Sequence, residues 1–168
     1  SSDADIAEFV STLERFERGE ISPEDFRRYR LTRGVYGQRQ EGVQMLRVKV
    51  PQGVLAPAAL EALAVIAERY GHGQGHVTTR QNLQFHFIPM AQIEAAMRAL
   101  DEAGLTTREA CGNTVRNVTA CPFAGVHSKD TFDVSPYGEA ITRFFLRNGW
   151  ANSLPRKFKI ALSCGPSD

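Results

Sequence analysis

"HVTTRQNLQFHFI", residues 76 to 88, alternates polar and apolar side chains over most of its length, and its reading decides what layer the chain builds. In a strand successive side chains point to opposite faces, so His76, Thr78, Arg80, Asn82, Gln84 and His86 share one side while Val77, Leu83, Phe85 and Phe87 share the other. A polar face turned to water is the ordinary state of an antiparallel strand covered on one side only. Next, "AQIEAAMRALDEAG" sets Ile93, Ala96, Met97 and Leu100 on one helical face and stops at Gly104. The same order precedes it. "QMLRVKVP" alternates as a strand, and "PAALEALAVIAERYG" puts Leu60, Leu63, Ala64, Ala67 and Tyr70 on one face between Pro57 and Gly71. Two strand-helix units in succession predict an α+β sandwich.

Outside these units, Ile6, Phe9, Val10, Leu13 and Phe16 recur at helical spacing behind Ser2 and Asp3, and "SPED" at 22 to 25 reads as the capped start of a second helix. Together they form a helical arm, followed by a glycine-punctuated loop, "RGVYGQRQEG". From about Cys111 the chain is loop-rich through "GNTVRNVTACPFAGVH", opens a helix at "SPYGEAITRFF" that closes near Gly149, and ends in the strand-like "LPRKFKIALSCGPSD". There Lys157 and Lys159 point the same way, with Phe158 and Ile160 opposite.

Of the 168 residues, 42% are hydrophobic and 23% charged, with a formal net charge of +1; the chain therefore lacks the basic excess of a nucleic-acid binder, and any positive site must come from placement. No apolar run is long enough to span a bilayer, and "SSDADIAEFV" carries acids where a signal peptide carries bases, so a cytoplasmic protein is expected, without a membrane partner. Cys111, Cys121 and Cys164 match neither a disulfide framework nor a metal knuckle and read as free thiols.

The basic residues are more informative. Arg47 and Lys49 share a strand face, as do Lys157 and Lys159, and each pair alone is no more than a solvated face. Together with Arg80 and the arginine of "NTVRNV", however, Arg47, Arg116, Lys157 and Lys159 form a set that one sheet could gather. Arginine offers a planar fork to carboxylates, and lysine a mobile charge with a transferable proton. The mixture points to an anionic cofactor beside a small reducible or protonatable substrate.

Four segments in order, "LRVKVPQG" (46 to 53), "VTTRQNLQFH" (77 to 86), "GLTTREACGNTVRNV" (104 to 118) and "LPRKFK" (154 to 159), resemble the siroheme-dependent sulfite and nitrite reductases over roughly residues 34 to 164. The resemblance implies a ferredoxin-like half-domain sandwich with an N-terminal helical arm and the beginning of a second α+β, siroheme-binding domain. The expected divisions are 1–35 for the arm, 36–107 for the half-domain and 108–168 for the start of the siroheme and iron-sulfur domain. The family reduces sulfite to sulfide, or nitrite to ammonia, by six electrons on a siroheme joined to a 4Fe-4S cluster. Siroheme carries eight carboxylates, and the family pattern assigns Thr78, Thr79, Arg80, Gln84 and His86 to it, with Arg80 foremost. The family's substrate pocket of two arginines and two lysines maps onto Arg47, Arg116, Lys157 and Lys159. Lysine at both positions of "LPRKFK" resembles sulfite reductases more than plant-type nitrite reductases.

The resemblance also shows a departure. Family members ligate the cluster through two pairs of cysteines in the C-terminal half of a chain about three times this long, and neither pair is present here. The expectation is therefore an N-terminal portion, inactive alone, whose partners are sulfite or nitrite, an electron donor such as ferredoxin or a flavoprotein, and the C-terminal half of the same reductase. The alternative is a non-catalytic tetrapyrrole- or anion-binding module of the same ancestry. Tyr36 and Cys111 fall near the substrate channel if the family arrangement holds, while His72 and His127 are expected on the surface without partners.

Overall fold

Ser2 starts the first helix, α1 (Asp3–Glu17), through a reciprocal cap: its hydroxyl accepts the Asp5 N–H while the Asp5 carboxylate accepts the Ser2 N–H, both at 3.3 Å. Ser22 caps α2 (Pro23–Thr32) through its hydroxyl alone, which accepts the Asp25 N–H at 3.1 Å. The computed structural model describes residues 2–128 and 130–165; the first residue of the expected arm and the last three of the expected third segment lie outside the described residues. Among those described, no helix is long and apolar enough to cross a membrane.

The arm is no appendage. Ile6 and Phe9 of α1 are fully buried in the same core as the sheet, and Phe16 stacks on Phe26 of α2 with ring centroids 4.3 Å apart. That sheet has four antiparallel strands in the order β1-β2-β4-β3: β1 (Val35–Gly37), β2 (Val43–Val48), β3 (His76–Val77) and β4 (Leu83–Pro89). Helices α3 (Pro57–Tyr70) and α4 (Ile93–Glu102) complete the sandwich, with Leu63, Ile66, Met97 and Leu100 buried against Leu46, Val48, Phe85 and Ile88. The α+β class and the half-domain layering are as the sequence predicts.

Several local expectations change. β1 occupies part of the expected loop, entered through Gly34 at φ +78, where any Cβ would collide with the Thr107 and Arg47 carbonyls. On α3 the buried stripe is Ala59, Leu63, Ile66 and Ala67, not the one through Leu60 and Ala64; Leu60 is 59% exposed. α4 buries Ile93, Ala96, Met97 and Leu100, the expected face. Residues 76–88 are not one strand. They form a hairpin, β3 pairing with β4 across a turn at 78–82, so the two-face alternation does not run through. Val77 is 74% exposed, and Phe87, at φ +62 in a bulge where Met45 of β2 faces both His86 and Phe87 of β4, turns out at 38%.

The remaining residues build a smaller unit against this sandwich. β5 (Thr119–Ala120) and β6 (Ala161–Leu162) pair in parallel, prolonged by a bridge between Val115 and Phe158, and α5 (Ser135–Phe145) packs beside β5. The expected terminal strand is thus two short pieces, and both Lys157 and Phe158 are exposed.

A buried charge network welds the units. The Asp5 carboxylate pairs with Arg108 and accepts from Arg147 Nε at 3.0 Å and Nη2 at 2.7 Å. Burial alone would raise the Asp5 carboxyl, yet the Arg147 hydrogen bonds and the charges of Arg108 and Arg147 hold it below its ordinary value. A carboxyl depressed in the folded state adds stability above its unfolded pKa and loses it as pH falls through the folded value. The stability difference between the native chain and Asp5→Asn, read by urea unfolding, should therefore be flat above about pH 5 and shrink between roughly pH 4 and 2. A difference unchanged across that range would mean Asp5 carries no linked charge.

Candidate functional site

The turn between β3 and β4 is what positions the site. Thr78 N–H donates to the Asn82 carbonyl at 2.9 Å and Gln81 N–H to the Thr78 carbonyl at 3.0 Å, with Gln81 in the left-handed region at φ +56. The Thr78 hydroxyl accepts the N–H of both Arg80 and Asn82, at 3.3 and 3.1 Å. This tip leans on the parallel ladder of the smaller unit. Arg80 donates to the Asn117 carbonyl through Nε and Nη2 and to the Ile160 carbonyl through Nη2, the last at 2.7 Å. The Gln81 side-chain amide meets the backbone of Ala120 twice, accepting its N–H at 3.1 Å and donating to its carbonyl at 2.7 Å. Asn82 accepts the Val50 N–H at 3.1 Å, while Asn117 donates to the Val50 carbonyl at 2.6 Å.

Docking the tip in this way brings the cations together. Arg47, Arg80, Arg116, Lys157 and Lys159 line one groove of about 420 Å³ with His76, Thr78, Thr79 and Gln84. Arg47 is held by Gln84 Oε1, which accepts from Nε at 2.8 Å and also from Nη2, and it reaches the Ala110 carbonyl at 3.4 Å. Arg116 shares that carbonyl at 3.0 Å and adds the Gly112 carbonyl at 2.9 Å. Neutral carbonyl and amide oxygens therefore orient both guanidinium groups without neutralising them. Among the described residues none of the five cations is paired with a carboxylate. Burial and the charges of Arg47 and Arg80 push the Arg116 pKa down against the opposing Cys111 thiol, although a guanidinium remains a cation at any working pH.

A second cavity of about 360 Å³ shares Arg47, Arg116 and Lys157 and adds Tyr36, Cys111 and Arg156. Cys111 is buried, and that burial raises its thiol pKa while Arg47 and Arg116 pull it the other way. Of the expected cofactor residues, Thr78, Thr79, Arg80 and Gln84 lie in the first groove. His86 lies instead in an adjoining cavity of about 300 Å³ with His72, His76 and Phe87; burial, then His76 and Arg47, lower its pKa. His72 and His127 are exposed as expected but have neighbours: His72 stacks on Phe87 at 5.5 Å, and His127 Nδ1 lies 3.8 Å from Asp130. Lys49 leaves the polar face altogether. It is 3% exposed, turned inward to Glu109 at 3.7 Å. Sequence reading missed Gln81, Asn82 and Asn117, although five consecutive polar residues at 78–82 leave a core-facing strand nothing to bury.

Among the described residues no three His, Cys, Asp or Glu side chains are placed to hold a metal. Two family models match in series, the nitrite/sulfite reductase ferredoxin-like half domain over residues 36–103 and the nitrite and sulphite reductase 4Fe-4S domain over residues 111–168. The chain belongs to the nitrite and sulfite reductase family. It is 34% identical to a ferredoxin--nitrite reductase of Leptolyngbya laminosa, a match spanning 96% of this chain and 34% of that one. It is 32% identical to a sulfite reductase [ferredoxin] of Mycobacterium tuberculosis, spanning 77% of this chain and 26% of the relative. The solved structure of the Mycobacterium tuberculosis NirA protein superposes with a TM-score of 0.81 at 29% identity, over 96% of this chain and 35% of that one. The chain thus spans about a quarter to a third of the length of these family members.

Proposed function

We propose that this chain supplies the siroheme-carboxylate and substrate-anion contacts of an assimilatory-type sulfite reductase. The observation that carries the reading is five cations lining one groove with no carboxylate partner among the described residues. Such a cluster is unfavourable by itself and is relieved by a polyanion, so the donor set fits a macrocycle edged with carboxylates. Thr78, Thr79, Arg80, Gln84 and His86 would hold those carboxylates. Arg80 would do so through its remaining Nη1, because Nε and Nη2 already serve backbone carbonyls. Arg47 and Arg116, fixed by Gln84 and the Ala110 carbonyl, would orient the substrate anion, and the Lys157 and Lys159 ammonium groups would bring protons to its oxygens.

Bound siroheme supplies the electron-transfer chemistry. A 4Fe-4S cluster does not fit the described residues, because Cys111 sits in the anion cleft away from Cys121 and Cys164; its ligands are assigned to the C-terminal half of the same reductase. Ferredoxin or a flavoprotein is the proposed donor, and sulfite is preferred over nitrite on account of Lys159. The arm 1–35, half-domain 36–107 and opening siroheme domain 108–168 are the proposed divisions.

Titrating the chain with siroheme, followed by absorbance, tests the reading. Arg80→Leu should weaken siroheme binding at least about tenfold, as expected for loss of one charge-assisted carboxylate contact, and Arg47→Leu or Arg116→Leu should weaken sulfite binding to the siroheme-loaded chain by a similar factor. Unchanged siroheme affinity in the first and unchanged sulfite affinity in the other two would reject it. In an enzyme carrying this chain, Lys159→Asn should depress sulfite turnover more than nitrite turnover. Equal losses would remove the preference for sulfite.

A further inference from the structure

Away from the cationic groove, Cys121 follows β5 and Cys164 follows β6. Cys121 N–H donates to the Leu162 carbonyl at 3.1 Å next to the pair of Ala120 and Leu162 that ends the ladder, and beyond that pair Cys121 packs against the cluster of Ala120, Val134 and Cys164. Each cysteine lies within two residues of that last pair, whose strands run about 4.8 Å apart, so the two side chains meet on the scale that a disulfide spans. The Thr131 N–H donates to the Cys164 carbonyl at 3.1 Å, which sets Asp130 beside the same turn; Cys121 and Asp130 are the neighbours that raise the Cys164 thiol pKa. That carboxylate is itself placed: Oδ2 accepts the Gly125 N–H at 3.0 Å, and Oδ1 lies 3.8 Å from His127 Nδ1.

The two sulfurs differ in access. Cys164 is 6% exposed, packed with Ala120 and Val134, whereas Cys121 lines an open groove of about 410 Å³ bordered by Val54, Val77, Leu83 and Pro122. We propose that Cys121 and Cys164 are a dithiol that closes to a disulfide when a low-molecular-weight disulfide enters this groove. The site has an entering thiol, a resolving thiol behind it and a carboxylate to take the second proton.

In the first step Cys121 Sγ, as thiolate, attacks one sulfur of the small disulfide. The small S–S bond breaks, a mixed disulfide forms on Cys121, and one small thiolate leaves and takes up the proton Cys121 released. In the second step Cys164 Sγ passes its proton to Asp130 and attacks Cys121 Sγ. The mixed bond breaks, the protein disulfide forms, and the second small thiolate leaves with that proton. Two electrons pass from the protein to the small disulfide, which ends as two thiols. Cys121 and Asp130, with burial, push the Cys164 thiol up to about 12, so it keeps its proton until the second step. Exchange of this kind is reversible and suits a redox-responsive pair in a reducing compartment. The bond would tie β5 to the segment just after β6, which runs directly from Lys157 and Lys159.

The inference does not depend on the cofactor assignment, and its test uses neither siroheme nor turnover. The folded chain is incubated with glutathione disulfide, then thiols are counted and peptides mapped by mass. The expected product has lost the mass of two hydrogens, links the Cys121 and Cys164 peptides and keeps Cys111 reduced. Cys164→Ser should stop at a stable glutathione adduct on Cys121. Asp130→Asn should slow closure by roughly a hundredfold, the usual contribution of a positioned base, and let the mixed disulfide accumulate. Adducts on the native chain that never close, or preferential modification of Cys111, would overturn the proposal, and the native chain alone is sufficient to show either.

Discussion

Replacing Glu109 with glutamine should destabilise the chain by about 3 to 5 kcal/mol at pH 7, the range for removing one partner of a buried ion pair. Glu109 is 1% exposed; its carboxylate lies 3.7 Å from Lys49 Nζ and 3.3 Å from Arg108 Nε and accepts the Arg147 N–H at 2.9 Å. Glutamine keeps the shape and one acceptor but leaves the Lys49 ammonium buried without its counter-charge. Burial already lowers the Lys49 pKa, with Glu109 opposing the shift, so the substitution should lower it further. The sign of the pH dependence follows. Between the depressed folded pKa and the ordinary unfolded one near 10.4, the unfolded state binds more protons, so stability rises with pH. Glu109→Gln should therefore recover part of its loss as pH rises toward the unfolded pKa, gaining over a wider pH range than the native chain, and Lys49→Met in the same background should restore much of it at neutral pH. Equal urea midpoints for native and Glu109→Gln protein at pH 7 would show that the pair contributes no stability.

Arg80→Leu is expected to cost about 2 to 4 kcal/mol of stability even with no cofactor bound, since hydrogen bonds from a charged donor are worth about 1.5 to 3 kcal/mol each. Its guanidinium spans the Asn117 and Ile160 carbonyls where the parallel ladder has no backbone rung between Arg116 and Thr119. Leucine leaves the Asn117 carbonyl facing an apolar side chain. Arg80→Lys should fall between, because a single ammonium lacks the fork that reaches both oxygens. Urea unfolding at fixed pH gives the ordering. If leucine lowered siroheme affinity with no change in the urea midpoint, Arg80 would be a ligand alone and not also a clamp.

Local patterning carried the sequence reading where the local signal was unambiguous. α4 has one apolar stripe, and Ile93, Ala96, Met97 and Leu100 are buried as read. α3, "PAALEALAVIAERY", is apolar most of the way round, so its spacing supports either Leu60 or Ile66, and only the sheet beneath it chooses. Arg47 and Lys49 alternate correctly in sequence, but β2 ends at Val48; Lys49 N–H already pairs with the Thr106 carbonyl, and its side chain follows that turn inward. Strand faces and "NTVRNV" offered the five cations as a set that one sheet could gather, but only the family resemblance gave them an arrangement and separate roles. Nothing in the period of any strand places Arg116 beside Arg47, because they meet through one shared carbonyl, that of Ala110, 63 positions beyond Arg47.

A two-stranded parallel ladder ordinarily leaves raw edges that recruit another chain. Here one edge of β5 is already taken. The Val118 carbonyl accepts the Gln52 N–H at 2.9 Å, and the Gln81 amide occupies both polar groups of Ala120, standing in for the rung a neighbouring strand would supply. Glutamine at this tip thus works as a counterfeit residue of backbone. A shorter or apolar side chain at position 81 would uncover a template for intermolecular pairing, and its penalty would fall first on colloidal behaviour, as concentration-dependent aggregation of a chain that still folds.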